Sequence, residues 1–161
     1  RAFNLALGYL FAGVATRDDV IVNEISFDEN GFMIKLSHEV EISEIPNVFR
    51  EDTSRQVLQR YLLDTQLFAK RFREVSSRSM LNPRRIGADE VTPKQFQTRA
   101  EQLLRAHRQM EDSVIIREAM NEIFTIDLDM QQLADFISRM ERLPQGSSFT
   151  VCPDTPWGCS L

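Results

Sequence analysis

Cysteine, histidine and tryptophan are nearly missing from this chain, which has two, two and one of them in 161 residues. Both cysteines, Cys152 and Cys159, fall in the last ten positions, so no disulfide or thiolate-bound metal is expected in the first 150 residues. That usage fits a reducing, cytoplasmic setting. His38 and His107 lack H-E-x-x-H spacing, which leaves a histidine-based zinc site without support. No apolar run approaches the roughly 20 residues that cross a bilayer, and no membrane partner is expected. A G-x-x-x-x-G-K-[ST] loop is absent, as is G-x-G-x-x-G; Gly8 and Gly13 are followed by no phosphate-cradling lysine. Neither a nucleotide cofactor nor a metal is therefore expected in this chain.

What remains is the composition of a soluble globular protein, 42% hydrophobic and 27% charged. The length allows one domain with a real core. The chain opens on Arg1 rather than Met, so a cut end is expected. Asn4 to Ala15 is apolar on all sides, as a buried helix would be. VIVNEISF (Val20–Phe27) and FMIKL (Phe32–Leu36) alternate around a DENG turn, which predicts a hairpin. An acidic connector with Pro46 runs from Glu39 to Asp52. Asp52 or Thr53 can cap a helix to about Leu63 whose core side carries Val57, Tyr61 and Leu62; Asp64 or Thr65 can cap the next. That next helix is expected to reach Leu81 and stop at Asn82-Pro83, because the residue before proline avoids helical geometry.

Thr92-Pro93-Lys94-Gln95 is the clearest start signal, a capping box with proline at the first helical position. It predicts a helix to about Arg108, followed by helices over Ser113–Phe124 and Asp129–Arg142. The fold class is α+β: an N-terminal helix and a β-hairpin, then four to five helices. Residues 1–142 are read as the domain. Residues 143–161, with three of the six prolines, both cysteines and the tryptophan, are read as a flexible or appended tail.

Charge is divided along the chain. Residues 54–110 hold twelve Lys and Arg against five Asp and Glu, while the remainder holds seven against nineteen. The densest part is Phe68–Ile86, FAKRFREVSSRSMLNPRRI, with six basic residues and Glu74 as its one acid. Phe68, Phe72 and Val75 fall within about 40° of one another on a helix and form a core stripe. Arg71 and Arg78, seven apart, flank that stripe together, whereas Arg73 projects from another side and is the best candidate for a structural role. Arg84 and Arg85 follow Pro83. Arginine often only decorates a solvated helix. Here the few nearby acids, the Ser and Asn among the arginines, and the guanidinium fork suit phosphate oxygens.

Catalytic readings fare worse. His107 has no evident nucleophile beside it, and triad chemistry needs partners. Asp127 and Asp129 could be an acid–base pair, but a loop and a helix cap use both more simply.

RFREVSSRSML (Arg71–Leu81), preceded by DTQLFAK, resembles the F-x-x-R-F-R…A-x-R segment of the large helicase-related (Lhr-type) superfamily 2 helicases, in the DEAD/DEAH-associated domain behind their motor. SVIIREAMNEIFTIDLDMQQLADFISRME (Ser113–Glu141) is similar to that family's E-T-x-R-E-x-L-x-D-x-x-D-x-x-x-L helix pair, with Arg117 and Glu118 at the R-E position and Asp127 near the second acid. NLALGYLFA resembles the domain's first helix. Ser76 departs from the pattern, standing where a small apolar residue is usual, and LPQGSSFTVC replaces the Gly-Glu-Ile and strand that follow in the family. The resemblance covers about Asn4 to Arg142. It implies a non-catalytic accessory module of an ATP-dependent DNA helicase, with ATP and Mg in the motor domains of the same polypeptide. Its expected partner is single-stranded DNA, with RNA left open, held through Arg71, Arg73, Arg78, Arg84 and Arg85. The alternative is a module that docks on the motor domains without touching nucleic acid.

Overall fold

The computed structural model describes residues 1–16, 20–37, 51–86, 89–110 and 112–141. Asp18-Asp19, His38, the acidic connector up to residue 50, and the 143–161 tail with its cysteines lie outside the described residues.

Helix α1 (Ala2–Ala15) runs through the middle of the fold, which is why it is apolar on every side. Strands β1 (Val22–Phe27) and β2 (Phe32–Leu36) pair antiparallel with Phe27 opposite Phe32. The Asp28 carboxylate accepts from the amides of Asn30 and Gly31 at 2.8 and 2.7 Å and closes the turn. Asn4 pins that turn to α1, donating to the carbonyls of Asp28 and Glu29. The predicted strict alternation is interrupted near Asn23, where the register shifts between Val22 and Glu24 and leaves one extra residue on β1.

Two glycines let other elements approach α1 closely. A Cβ on Gly8 would stand 2.5 Å from the Phe27 ring, and one on Gly13 would stand 2.7 Å from Val57 Cγ1 and 3.1 Å from Tyr61. Their absence from any phosphate loop is thus matched by a packing role. Gly13→Ala is expected to destabilise by about 1–2 kcal/mol, the overpacking cost reduced by alanine's better helix propensity. Thermal unfolding would check it; a gain in melting temperature would contradict this packing.

Helix α2 (Glu51–Leu62) starts earlier than predicted, so neither Asp52 nor Thr53 is its N-cap. Its core side carries Val57, Leu58 and Leu62, all at most 2% exposed, with Tyr61 half-buried against Tyr9. Leu58 was not expected there. Arg55 lies over the Phe124 ring at 4.9 Å. Helix α3 (Gln66–Arg78) is capped by Thr65, whose hydroxyl accepts from the Phe68 amide. Short strands β3 (Arg85–Ile86) and β4 (Asp89–Glu90), unforeseen in the sequence, make a small second ladder.

Helix α4 (Pro93–Arg108) has the full capping box at Thr92 and Gln95. Helix α5 (Val114–Glu122) is capped by Ser113 and widens into a π-helical turn over Ile123–Asp127. Helix α6 (Met130–Glu141) is started by Asp129, which accepts from the Gln132 amide at 2.9 Å. Five α-helices among the described residues therefore follow the hairpin, in agreement with the predicted class. The core joins α1, α2, α3, α5 and α6 around Leu10, Leu58, Phe68, Phe72, Ile123 and Leu133. No described helix is long and apolar enough to cross a membrane.

Candidate nucleic-acid interface

The arginine-rich segment is held by its own hydrophobic stripe. Phe68, Phe72 and Val75 are at most 3% exposed, as their spacing predicted, and they fix how α3 is rotated. That rotation decides where each guanidinium points.

Arg71 points inward, with a side chain only 14% exposed. It grips Asp127 through a fork, Nε to Oδ2 at 3.1 Å and Nη2 to Oδ1 at 2.7 Å, and it pairs with Glu74 at 3.0 Å. Glu122 Oε2 stands 3.5 Å from Arg71 Nη1, close enough to attract it but making no hydrogen bond. Burial opposes the charge on Arg71; the Asp127 hydrogen bonds and the three carboxylates outweigh it and hold the group above its ordinary value.

The π turn makes this cluster possible. On an α-helix, residues five apart lie about 140° from each other. Here the Leu128 amide donates to the Ile123 carbonyl at 3.0 Å, an i to i+5 bond that stacks residues five apart. Glu122 and Asp127 thereby meet the same guanidinium. α-Helical periodicity places them on different faces, which is why the cluster is not legible in the spacing. Asp127 is thus an ion-pair anchor as well as a loop residue, while Asp129 is the cap that was expected.

Arg78 shares this cluster from outside, as its seven-residue spacing from Arg71 implies. Its guanidinium is 60% exposed and donates to Glu122 Oε1, which raises its pKa further. Arg73 lies on the other side of α3. It makes no ion pair among the described residues and borders a shallow depression of about 60 Å³ shared with Lys70, Gln97 and Glu101. Arg71 also has a structural part, which was expected of Arg73, because the Phe68–Phe72 stripe turns Arg71 toward α5.

Helix α3 does not reach Leu81, nor is Pro83 its stop. Its last carbonyls are closed by the Met80 amide on Ser77 and the Leu81 amide on Ser76, with Met80 in the left-handed region at φ 61°. Ser76 fits its fully buried position because its hydroxyl donates to the Arg73 carbonyl at 3.0 Å. Asn82, 1% exposed, then donates from Nδ2 to the Phe96 carbonyl at 3.1 Å. The Arg84 guanidinium lies over the Phe96 ring at 5.5 Å, so the loop is fastened twice to the first turns of α4.

Arg84 and Arg85 are both exposed, and neither makes an ion pair among the described residues. Arg85 sits opposite Glu90 in the β3–β4 ladder without pairing to it. Lys94 and Arg99, on the neighbouring turns of α4, border one open depression and extend the positive surface. Distance in the sequence hid them from the arginine count. Further along α4, Arg108 is committed to Asp64 at 3.0 Å.

His107 proves to have a hydroxyl neighbour, Ser113 Oγ at 2.9 Å from Nδ1. The serine is 8% exposed and its oxygen also caps α5, accepting from Ile116. The histidine ring packs edge-on against Phe72. This pair holds the α4–α5 corner, and no carboxylate hydrogen-bonds the ring among the described residues. Nor do any three described His, Cys, Asp or Glu side chains gather so as to hold a metal ion. The carboxylates of Glu74, Glu122 and Asp127 are gathered around Arg71.

Comparison with known proteins agrees with this organisation. The chain is 30% identical over 141 residues to the ATP-dependent helicase Lhr-Core protein 2 of Thermococcus barophilus, covering 86% of this chain and 16% of that protein. It is 26% identical to the ATP-dependent helicase Lhr-Core of Sulfolobus acidocaldarius and 23% identical to that of Saccharolobus solfataricus, in each case over 84% of this chain and 16% of the relative. The chain thus spans about a sixth of the length of these relatives. No solved structure matches it significantly. Residues 1–144 match the DEAD/H associated family, from the first helix through the arginine segment to the last, and the chain belongs to that family.

Proposed function

We propose that this chain is a non-catalytic accessory domain of an ATP-dependent helicase, and that it holds a single nucleic-acid strand by its sugar-phosphate backbone through Arg73, Arg84 and Arg85. The observation that carries this is the division among the arginines. Arg71 and Arg78 are occupied by carboxylates, whereas Arg84 and Arg85 reach solvent from a fastened loop with no acid paired to them among the described residues. Guanidinium groups fixed in this way suit phosphate oxygens and carry no base preference. ATP and Mg belong, on this view, to motor segments of a longer protein.

Fluorescence anisotropy of the chain with a labelled single strand at several salt concentrations tests it. Each phosphate contact on a single strand contributes about 0.7 to the slope of log affinity against log salt. Arg84→Ala with Arg85→Ala should lower that slope by about 1.4 and weaken binding at least tenfold at low salt. An unchanged slope and affinity would remove both residues from the interface.

A second function, docking on the motor segments, is favoured by apolar side chains open to solvent. Ile21 is 65% exposed and Met33 59%, both on the hairpin and far along the chain from the arginines. The two can coexist. If the chain binds no strand at any salt concentration, docking alone stands.

A further inference from the structure

The loop behind α3 ends that helix on a left-handed residue that is not glycine. Met80 adopts φ 61°, where glycine fits without a steric penalty and a side chain is opposed by its own Cβ. Its side chain is 80% exposed, so burial offers no compensation, and Leu81 beside it is 46% exposed. The mount itself is firm. Two amide bonds close the helix end, Asn82 is buried and bonded to the Phe96 carbonyl, and Arg84 rests on the Phe96 ring. An apolar tip is therefore held out into water, with the exposed guanidinium groups of Arg84 and Arg85 following within five residues.

We propose that Met80, with Leu81, packs against the bases of a single strand whose phosphates lie on Arg84 and Arg85; this rests on the phosphate-binding function proposed above. A nucleic-acid strand is apolar on its base faces and anionic along its backbone, and the loop presents complementary groups for each. Methionine and leucine are among the side chains that enter between bases and unstack them. Contact with a base face is tolerant of sequence, because every base has one. A rigid backbone suits the task, since a wedge that swings aside opens nothing.

Met80→Gly is a suitable variant, because glycine is the residue the helix end favours. The variant should melt at the same temperature or higher, which excludes unfolding as the cause of any loss. The 161-residue chain is titrated with an oligothymidine strand and with an abasic strand of equal length. The native chain should bind the strand with bases about fivefold more tightly, taking the low end of base-stacking contributions. Met80→Gly should lose most of that preference, Leu81 retaining the remainder, with a salt slope equal to the native one. If Met80→Gly keeps the native preference for bases, the wedge is refuted while the phosphate contacts stand. If the native chain binds neither strand, the wedge and the phosphate function fall together.

Discussion

Truncating Phe72 to alanine should remove about 3–5 kcal/mol of folding stability. The ring is 1% exposed, tilted against Phe68 at 6.3 Å and edge-on to His107 at 5.9 Å. It stands where α3 meets α4, and its loss opens a cavity that helices fixed by their caps cannot easily close. Domains of this size are stable by only about 5–15 kcal/mol, so the variant would be close to unfolding at moderate temperature. Urea denaturation checks it, with Phe72→Leu losing markedly less because most of the volume remains. A loss below about 1 kcal/mol for the alanine variant would mean that the α3–α4 contact is not packed as described.

Replacing Arg71 by methionine is the second large effect, expected at about 2–4 kcal/mol. Methionine keeps much of the apolar stem but leaves Asp127, Glu122 and Glu74 facing one another without a cation. Removing one partner from a buried pair commonly costs about 3–5 kcal/mol. The lower range applies here because Asp127 is 20% exposed and Glu74 41% exposed, which lets water reach them. Arg78→Ala is the internal control. That side chain is 60% exposed, and its loss should cost far less than that of Arg71 because solvent screens the pair. A double-mutant cycle between Arg71 and Asp127 should give a coupling above about 1 kcal/mol, since the two share a fork of hydrogen bonds. Equal costs for Arg71→Met and Arg78→Ala would contradict the inward assignment. The two experiments also separate structure from binding. Where Arg71→Met is still folded, its affinity for a strand should match the native chain, whereas the Arg84 and Arg85 variants should fold normally and bind weakly.

The relation between Arg71 and Arg73 shows where sequence reasoning reached its limit. Helical spacing placed Arg71 and Arg78 together and Arg73 apart, and the structure keeps that arrangement. Which of the two sides meets carboxylates was not contained in the spacing, since helical angles do not say what packs beside the stripe. Glu122 and Asp127, 51 and 56 residues away, decided it, brought to Arg71 by a turn whose five-residue bond breaks the α-helical period.

The order of amino acids alone determined the hairpin and its turn, the caps at Thr92 and Asp129, and the Phe68–Phe72–Val75 stripe. Those features depend on neighbours a few residues apart, and short-range sterics and hydrogen bonds suffice to fix them. Only the tertiary structure decided the early start of α2, the left-handed end at Met80, the ladder at Arg85 and the ion cluster around Arg71. Each of these requires a group from a distant segment, or a backbone state that the residue type itself disfavours. For that reason the sequence could gather five arginines as candidates, while the fold divided them into two held by carboxylates and three that make no ion pair among the described residues.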